Sequence, residues 1–149
     1  MTYIKITIAV CHEEDPRFAT YIGLVKFSAL YQDLHRSQKL TVMALPNDVF
    51  HAMSPVQFSD LINGSRDKIK NIISHHIIQN KYRSATLIHG AQISTMNGNR
   101  VLIYNKDGIL KINNSRVLIS DIRLSNGVLH VVDDLVRDDR LWFSSILNV

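Results

Sequence analysis

Seven histidines are the residues of this 149-residue chain whose side chains best suit metal binding or proton transfer. A zinc pair on a helix needs two histidines four residues apart together with a third ligand. His75 and His76 are adjacent, so on a helix they point in different directions, and His89 and His130 lie in separate predicted strands. We therefore predict no metal site, and we expect the histidines to be hydrogen-bonded or exposed.

The sequence gives equally little support for nucleophilic catalysis and for acid–base catalysis. Cys11 is the only cysteine, and its apolar surroundings disfavour the reactive thiolate. The chain contains no Gly-x-Ser-x-Gly elbow and no Gly-rich phosphate loop. Asp133-Asp134 and Asp138-Asp139 are pairs of neighbours, and neighbours on a strand face opposite sides. The sequence thus predicts a protein that is not an enzyme and that has no cofactor.

Composition describes one globular domain, residues 1–149, with 46% hydrophobic and 20% charged residues. The net charge is +4, but the 17 Lys and Arg are scattered among the acids, which predicts an evenly charged surface and no nucleic-acid partner. No apolar run approaches the about 20 residues of a membrane helix, so no integral membrane segment is expected. The first ten residues lack a basic region before an apolar one, so no signal peptide is visible.

The first half of the chain, which must help to position any site, is predicted to be mainly helical. Residues 2–10 alternate like a strand. Asp15-Pro16 predicts a helix start, with apolar spacing that continues to about Leu34. Leu40–Leu45 is predicted as a strand, and Ser54-Pro55-Val56-Gln57 is a capping box that opens a helix through Ile62. Ser65 caps the next helix, whose apolar stripe is Ile69, Ile72, Ile73 and His76.

From residue 84 onward, turn signals separate short strands. Asn97-Gly98, Asp107-Gly108, Asn113-Asn114 and Asn126-Gly127 follow one another at intervals typical of an antiparallel meander. Residues 137–149, with Trp142 and Phe143, are expected to form a tail. Helices first and strands later predict an α+β fold.

Asn126-Gly127 is the strongest of these turn signals, because a two-residue type I′ turn needs positive φ at both positions. It predicts that Leu124 pairs with Leu129 and Arg123 with His130. One face of this hairpin is then wholly apolar: Ile122, Leu124, Leu129 and Val131.

Two stretches of this chain resemble the signatures of fasciclin domains. The first runs from Thr41 to Phe50 and reads TVMALPNDVF, with its proline one place later than in the family. The second consists of Asp121-Ile122 followed by Asn126 to Asp133, NGVLHVVD. His75-His76 stands where the family has Tyr-His, and Thr95–Gly98 resembles the Thr-Leu-x-Gly that opens the family's meander. The resemblance covers about residues 15–136, and it implies a short helix at residues 2–10 as the alternative to the strand that periodicity predicts there.

This resemblance implies a wedge of antiparallel strands in two sheets, a β-sandwich, with several α-helices along one edge. It implies an adhesion or interaction module that binds proteins, matrix or a cell surface, and a secreted, periplasmic or cell-surface location. The family's Tyr-His region, implicated in integrin contact, corresponds here to His75, His76 and Ile77. Structural roles are implied for the signature residues Thr41, Ala44, Asn47, Phe50, Asp121, Asn126, Gly127 and His130.

An alternative function is a carrier of a small apolar ligand, since some fasciclin-domain proteins bind carotenoid-like molecules between sheet and helices. The stripe of Ile69, Ile72 and Ile73 and the hairpin's apolar face are the surfaces that would line such a slot. A plain hydrophobic core explains the same residues.

Overall fold

A computed structural model of the chain describes residues 16–28, 39–124 and 127–136. In these ranges the helices are α1 Ala19–Phe27, α2 Asn47–His51, α3 Pro55–Ile62 and α4 Arg66–Ser74, with 3₁₀ turns at Pro16–Phe18 and Ser84–Thr86. The strands are β1 Leu40–Ala44, β2 Ile77–Ile78, β3 Gln92–Ser94, β4 Arg100–Lys106, β5 Ile109–Ile112, β6 Ser115–Leu124 and β7 Gly127–Val132. This order confirms the α+β prediction. The predicted segment 2–10, the tail, Cys11, Asp138-Asp139 and Asn126 lie outside the described residues.

Local sequence determines how α3 and α4 begin. The Ser54 hydroxyl accepts from the Gln57 amide at 3.1 Å, and the Gln57 side chain accepts from the Ser54 amide at 3.1 Å, which confirms the capping box. The Ser65 hydroxyl accepts from the Lys68 amide at 3.2 Å and caps α4 as predicted. Each cap satisfies amide groups that the first helical turn leaves without partners.

The first helix is shorter than its apolar spacing predicts. It starts after the 3₁₀ turn and ends at Phe27, where Ser28 follows as its C-terminal cap, and not near Leu34. The Ser28 hydroxyl donates to the Val25 carbonyl oxygen at 2.6 Å and takes up one of the carbonyls freed at that end. Apolar periodicity marks a buried face but does not mark where the last helical turn stops.

All seven strands belong to one mixed sheet in the order β2-β1-β7-β6-β5-β4-β3. The central strands β1 and β7 are parallel, and every other neighbouring pair is antiparallel. Just after β3, the Met96 amide donates to the Ile77 carbonyl of β2 at 2.7 Å, so the two edges of the sheet meet and nearly close a barrel. The expected division into two sheets is not confirmed, because this single hydrogen-bonded order contains every strand.

The register of the last hairpin differs from the prediction. Leu124 pairs with Gly127, Arg123 with Val128 and Ile122 with Leu129, so Gly127 is the first strand residue and not a turn residue. Irregularities between Val117 and Ile122 shift the pairing further, and Ile119 lies opposite Val131. Every residue of β7 is buried, because the strand is central and covered on both faces. Val128, His130 and Val132, which the predicted register places on the other face of the hairpin, are therefore buried as well.

Gly127 is required by packing and not by a positive φ. A Cβ atom built there would lie 2.7 Å from the carbonyl carbon of Leu40 and 2.8 Å from its amide nitrogen. Gly127 and Leu40 are partners in the parallel pairing of β1 with β7, and no side chain fits between these backbones. The type I′ pattern is seen at Asp107-Gly108 instead, where φ is 56° and 78°.

Candidate functional site

The second signature brings a histidine, an aspartate and a serine together. His130 lies on β7, Asp121 lies in the irregular part of β6 with φ 64°, and Ser84 opens the second 3₁₀ turn. Ser84 donates to the Asp121 carboxylate from both its amide, at 2.8 Å, and its hydroxyl. Ser84 carried no signal in the sequence, because its partner is 37 residues away.

The hydrogen bonds of His130 leave its ring unable to act as a base toward Ser84. Its Nδ1 accepts from the Asp121 amide at 3.1 Å, so Nε2 carries the proton and donates to the Tyr82 carbonyl at 2.8 Å. Neither ring nitrogen is left to take a proton from Ser84. Burial lowers the pKa of His130, so the ring is neutral, and it joins β7 to the 82–84 segment. Burial pushes the pKa of Asp121 upward, but the hydrogen bonds from Ser84 outweigh it and lower this pKa.

His76 also uses both ring nitrogens inside the protein. Its Nδ1 lies 2.8 Å from the Ile72 carbonyl oxygen, and its Nε2 accepts from the Val136 amide at 2.9 Å. The side chain is fully buried, and this burial lowers its pKa to about 4. The ring therefore joins the end of α4 to the chain after β7, across 60 residues of sequence.

His75 belongs to a polar network between α4 and the turn after β3. Its Nδ1 lies 3.1 Å from the Thr95 hydroxyl, which donates to the Asn97 side-chain oxygen at 2.6 Å. The Asn97 amide group donates to the Asn71 carbonyl at 3.3 Å, which closes the network back onto the helix. The Nε2 atom of His75 is buried without a hydrogen-bond partner.

The three residues carried over as a binding site are buried, with exposed fractions of 4% for His75 and 0% for His76 and Ile77. The turn that follows β3 covers His75. The polar atoms that reach the surface at this junction belong to Asn71, which is exposed, and to Asn97, which is half-buried.

The first signature holds segments that are distant in sequence. Asn47 is the first residue of its own helix and Pro46 stands at the N-cap position, with no side-chain cap hydrogen bond. The Asn47 side chain instead accepts from the Thr20 amide at 3.2 Å and donates to the Pro16 carbonyl at 2.9 Å. Asn47 thus caps α1 from another part of the chain. The buried Thr41 hydroxyl donates to the Asn80 carbonyl and accepts from the Tyr82 amide, both at 2.7 Å. Ala44 and Phe50 are buried in the core.

The apolar stripe of α4 lies in the protein's own core. Ile69 and Ile73 are buried in one cluster with Leu129 and Val131, and Ile72 is partly buried against it. A separate groove of about 440 Å³ lies between α2, α3 and the chain after β7. Its lining mixes apolar and acidic residues: Val49, Ala52, Met53, Gln57, Leu61, Asp133, Asp134 and Leu135.

Within the described ranges, no three His, Cys, Asp or Glu side chains cluster as metal ligands would. Over the same residues, none of the helices combines the length and the apolar character that crossing a membrane demands.

Comparison with known proteins places this architecture in a family. The fasciclin domain family matches residues 16–137. Protein sll1483 of Synechocystis sp. is 30% identical over 132 residues, which span 88% of this chain and 73% of that protein. Human periostin is 27% identical over 126 residues and rabbit transforming growth factor-beta-induced protein ig-h3 is 24% identical over 123. The chain spans only 15% and 18% of these two animal proteins.

A solved structure gives the same fold. The FAS1 domain pair of the insect cell adhesion molecule fasciclin I aligns with a TM-score of 0.69 at 18% identity. The alignment covers 91% of this chain and 52% of that one. With the family match over most of its length, and with both signatures in the predicted order, the chain belongs to the fasciclin domain family.

Proposed function

We propose that this chain is a non-catalytic interaction module of a single domain, which binds a protein, a matrix component or a cell surface through a surface patch. The observation that carries the proposal is that the histidines of the second signature and of the His75-His76 pair are buried, while the exposed carboxylate of Asp121 is already hydrogen-bonded within the protein. His76 and His130 each have both ring nitrogens engaged, and Asp121 is held by Ser84. What remains for function is the outer surface.

The relatives support this class of function. Fasciclin I is described as an insect cell adhesion molecule, and its domain pair shares the fold. By this likeness we propose that the present chain also acts outside the cytoplasm, as a secreted, periplasmic or cell-surface protein. No cofactor or metal enters the proposal.

The place that the resemblance implies for contact is the junction of α4 with the turn after β3. Because His75, His76 and Ile77 are buried, we propose that they shape this junction and that Asn71 and Asn97 present the contact atoms. A partner would bind the surface whose shape the His75 hydrogen-bond network maintains.

Attachment of protein-coated beads to cells and to matrix proteins tests the proposal. Beads that carry the intact domain should attach, and beads that carry Gly127→Val, which cannot fit between β1 and β7, should not. Asn71→Arg, at an exposed site, tests the junction and should reduce attachment without unfolding the domain. Absence of attachment by the intact domain to every cell and matrix preparation would contradict the proposal.

The second candidate, a carrier of a small apolar ligand, rests on the groove beside Met53, Leu61 and Leu135, whose volume is in the range of small-molecule sites. Organic extraction of the purified protein followed by mass spectrometry distinguishes the two functions. A stoichiometric lipophile would favour the carrier, and its absence would leave the interaction module.

A further inference from the structure

The charge of this chain is unevenly placed along the sequence. Residues 68–120 contain eight Lys or Arg and one acid, Asp107, whereas the rest of the chain contains nine Lys or Arg and twelve acids. The middle of the chain is therefore strongly basic, and this segment forms most of α4, β2 to β5 and the first half of β6. The fold decides whether these cations disperse or share one surface.

The strand registers collect four of these cations on one side of the sheet. Burial alternates along β4, so Arg100, Leu102, Tyr104 and Lys106 face outward while Val101 and Ile103 face the core. Lys111 lies opposite Tyr104, and Arg116 lies opposite Lys111, so both belong to the same outward side. We call Arg100, Lys106, Lys111 and Arg116, with the apolar side chains among them, the basic face.

Lys111 and Arg116 are direct cross-strand partners, which is an unfavourable arrangement for two like charges. Residues 100–106, 109–112 and 115–118, which form this face, contain no carboxylate, since Asp107 lies in the turn between β4 and β5. From the chain after β7, the Asp133 carboxylate accepts from the Arg116 amide at 2.9 Å. The ammonium group of Lys111 leans toward the Tyr104 ring, 5.9 Å from its centroid. A negatively charged group bound between Lys111 and Arg116 would relieve the repulsion between these two cations.

Apolar side chains lie between the cations. Leu102, Tyr104 and Leu118 are 46%, 38% and 57% exposed. Binding to a bilayer scales with the apolar area that inserts into it, and three part-exposed side chains on a strand surface offer little such area. A polysaccharide would offer the leucines no apolar partner. An extended peptide can place carboxylates on the cations and its own apolar side chains between them.

We propose that the basic face binds an acidic peptide segment of a protein partner, with apolar residues interspersed among its Asp and Glu. This inference rests on the proposed function and names the chemistry of the partner. From Arg100 to Lys106 the face extends roughly 20 Å along β4, and from β4 to β6 it is roughly 10 Å wide. These dimensions suit about six residues of extended chain.

The probe is a fluorescent peptide of about twelve residues in which Leu alternates with pairs of Glu or Asp, measured by anisotropy. Lys111→Glu with Arg116→Glu should weaken its binding by about tenfold or more, since two charge-assisted contacts are lost. The matched control is Lys68→Glu with Lys70→Glu, which makes the same charge change at exposed sites on α4 and should weaken binding less than about twofold. Leu102→Ser with Leu118→Ser should weaken it severalfold.

Lys111→Glu alone provides a second readout. It replaces the like-charge pair with Arg116 by an opposite-charge pair, so it should raise the thermal midpoint at low salt while it weakens peptide binding. A gain of stability together with a loss of binding is the behaviour of a binding site and not of a structural residue. A lower midpoint would contradict the strain that is assigned to this pair.

If both double variants weaken peptide binding equally, the loss is explained by net charge alone, and the proposal is overturned. So would tight binding of heparin, or of vesicles of phosphatidylserine and phosphatidylcholine, by a protein that does not bind the peptide. The bead assay keeps the two proposals distinguishable. If beads with Lys111→Glu and Arg116→Glu attach as the intact domain does, the basic face is not the contact surface and the interaction module stands. If the intact domain fails to attach, the proposed function itself fails.

Discussion

Acid should destabilise this domain through His76. The ring is buried and neutral, its Nε2 accepts from the Val136 amide, and its pKa is lowered from 6.5 to about 4. Protonation would set an N–H group against the Val136 N–H. Between these two pKa values the unfolded chain binds the proton and the folded chain does not, so the free energy of unfolding falls as the pH falls. The full effect, present below pH 4, is about 3 kcal/mol.

The assay is urea denaturation at several pH values between 7.5 and 4.5, for the natural chain and for His76→Asn. Asparagine keeps a donor near the Ile72 carbonyl but does not titrate, so the variant should be less stable at pH 7.5 by about 1–3 kcal/mol. At pH 4.5 the difference between the two proteins should narrow by about 2.5 kcal/mol, a relative shift of roughly 1–2 M urea in the midpoint. The Asp, Glu and His130 contributions occur in both proteins and cancel.

The control is His51→Asn at an exposed position, which should keep the natural pH dependence. A difference between natural chain and His76→Asn that stays constant over the whole pH range would refute this reasoning. An NMR titration of the His76 ring with a midpoint near 6.5 would refute it as well.

Three further substitutions test the packing of the signatures by denaturant unfolding. Gly127→Ala should lower the free energy of unfolding by about 3 kcal/mol or more, because its methyl group would overlap the Leu40 backbone. Gly23→Ala in α1, where a methyl group meets open space, should leave stability unchanged or raise it. Equal losses of stability in the two variants would contradict the close approach of Gly127 to Leu40. Asn47→Ala should cost about 1–2 kcal/mol, because α1 loses the cap that this side chain supplies, and faster hydrogen exchange should be confined to α1. Thr41→Val keeps the shape but removes both hydroxyl hydrogen bonds to the 80–82 segment, so we expect a loss of about 1–3 kcal/mol, and an unchanged midpoint would show that these bonds contribute nothing.

Local chemistry made several elements predictable. The caps at Ser54 and Ser65, the apolar stripe of α4 and the two-residue turn at Asp107-Gly108 all depend on residues within a few positions of one another. The α+β order and the family follow from the same short-range patterns, since two signatures in the right order are specific even without contacts. The burial of His76 was also predictable, because it continues the stripe.

Roles that depend on distant partners could not be predicted. The local sequence predicts that Asn47 caps its own helix and that Gly127 is a turn residue, because asparagine is a common helix cap and glycine is common in two-residue turns. In the structure the Asn47 side chain caps α1. Gly127 packs against the Leu40 backbone, because the parallel pairing of β1 with β7 brings the two signatures together. Likewise, Ser84 reaches Asp121 only after β6 bends at its irregular pairing.

The sequence by itself determined the starts of α3 and α4, most of the turns, the inward face of α4 and the family, because these depend on short-range periodicity and on hydrogen bonds between near neighbours. The tertiary structure alone decided that the strands form one nearly closed sheet and that β7 is buried on both faces. It also decided that His130 and His76 are held as neutral structural groups and that scattered cations share one face. The physical reason is that strand order and register set which residues become neighbours across tens of positions, and no local pattern encodes that choice.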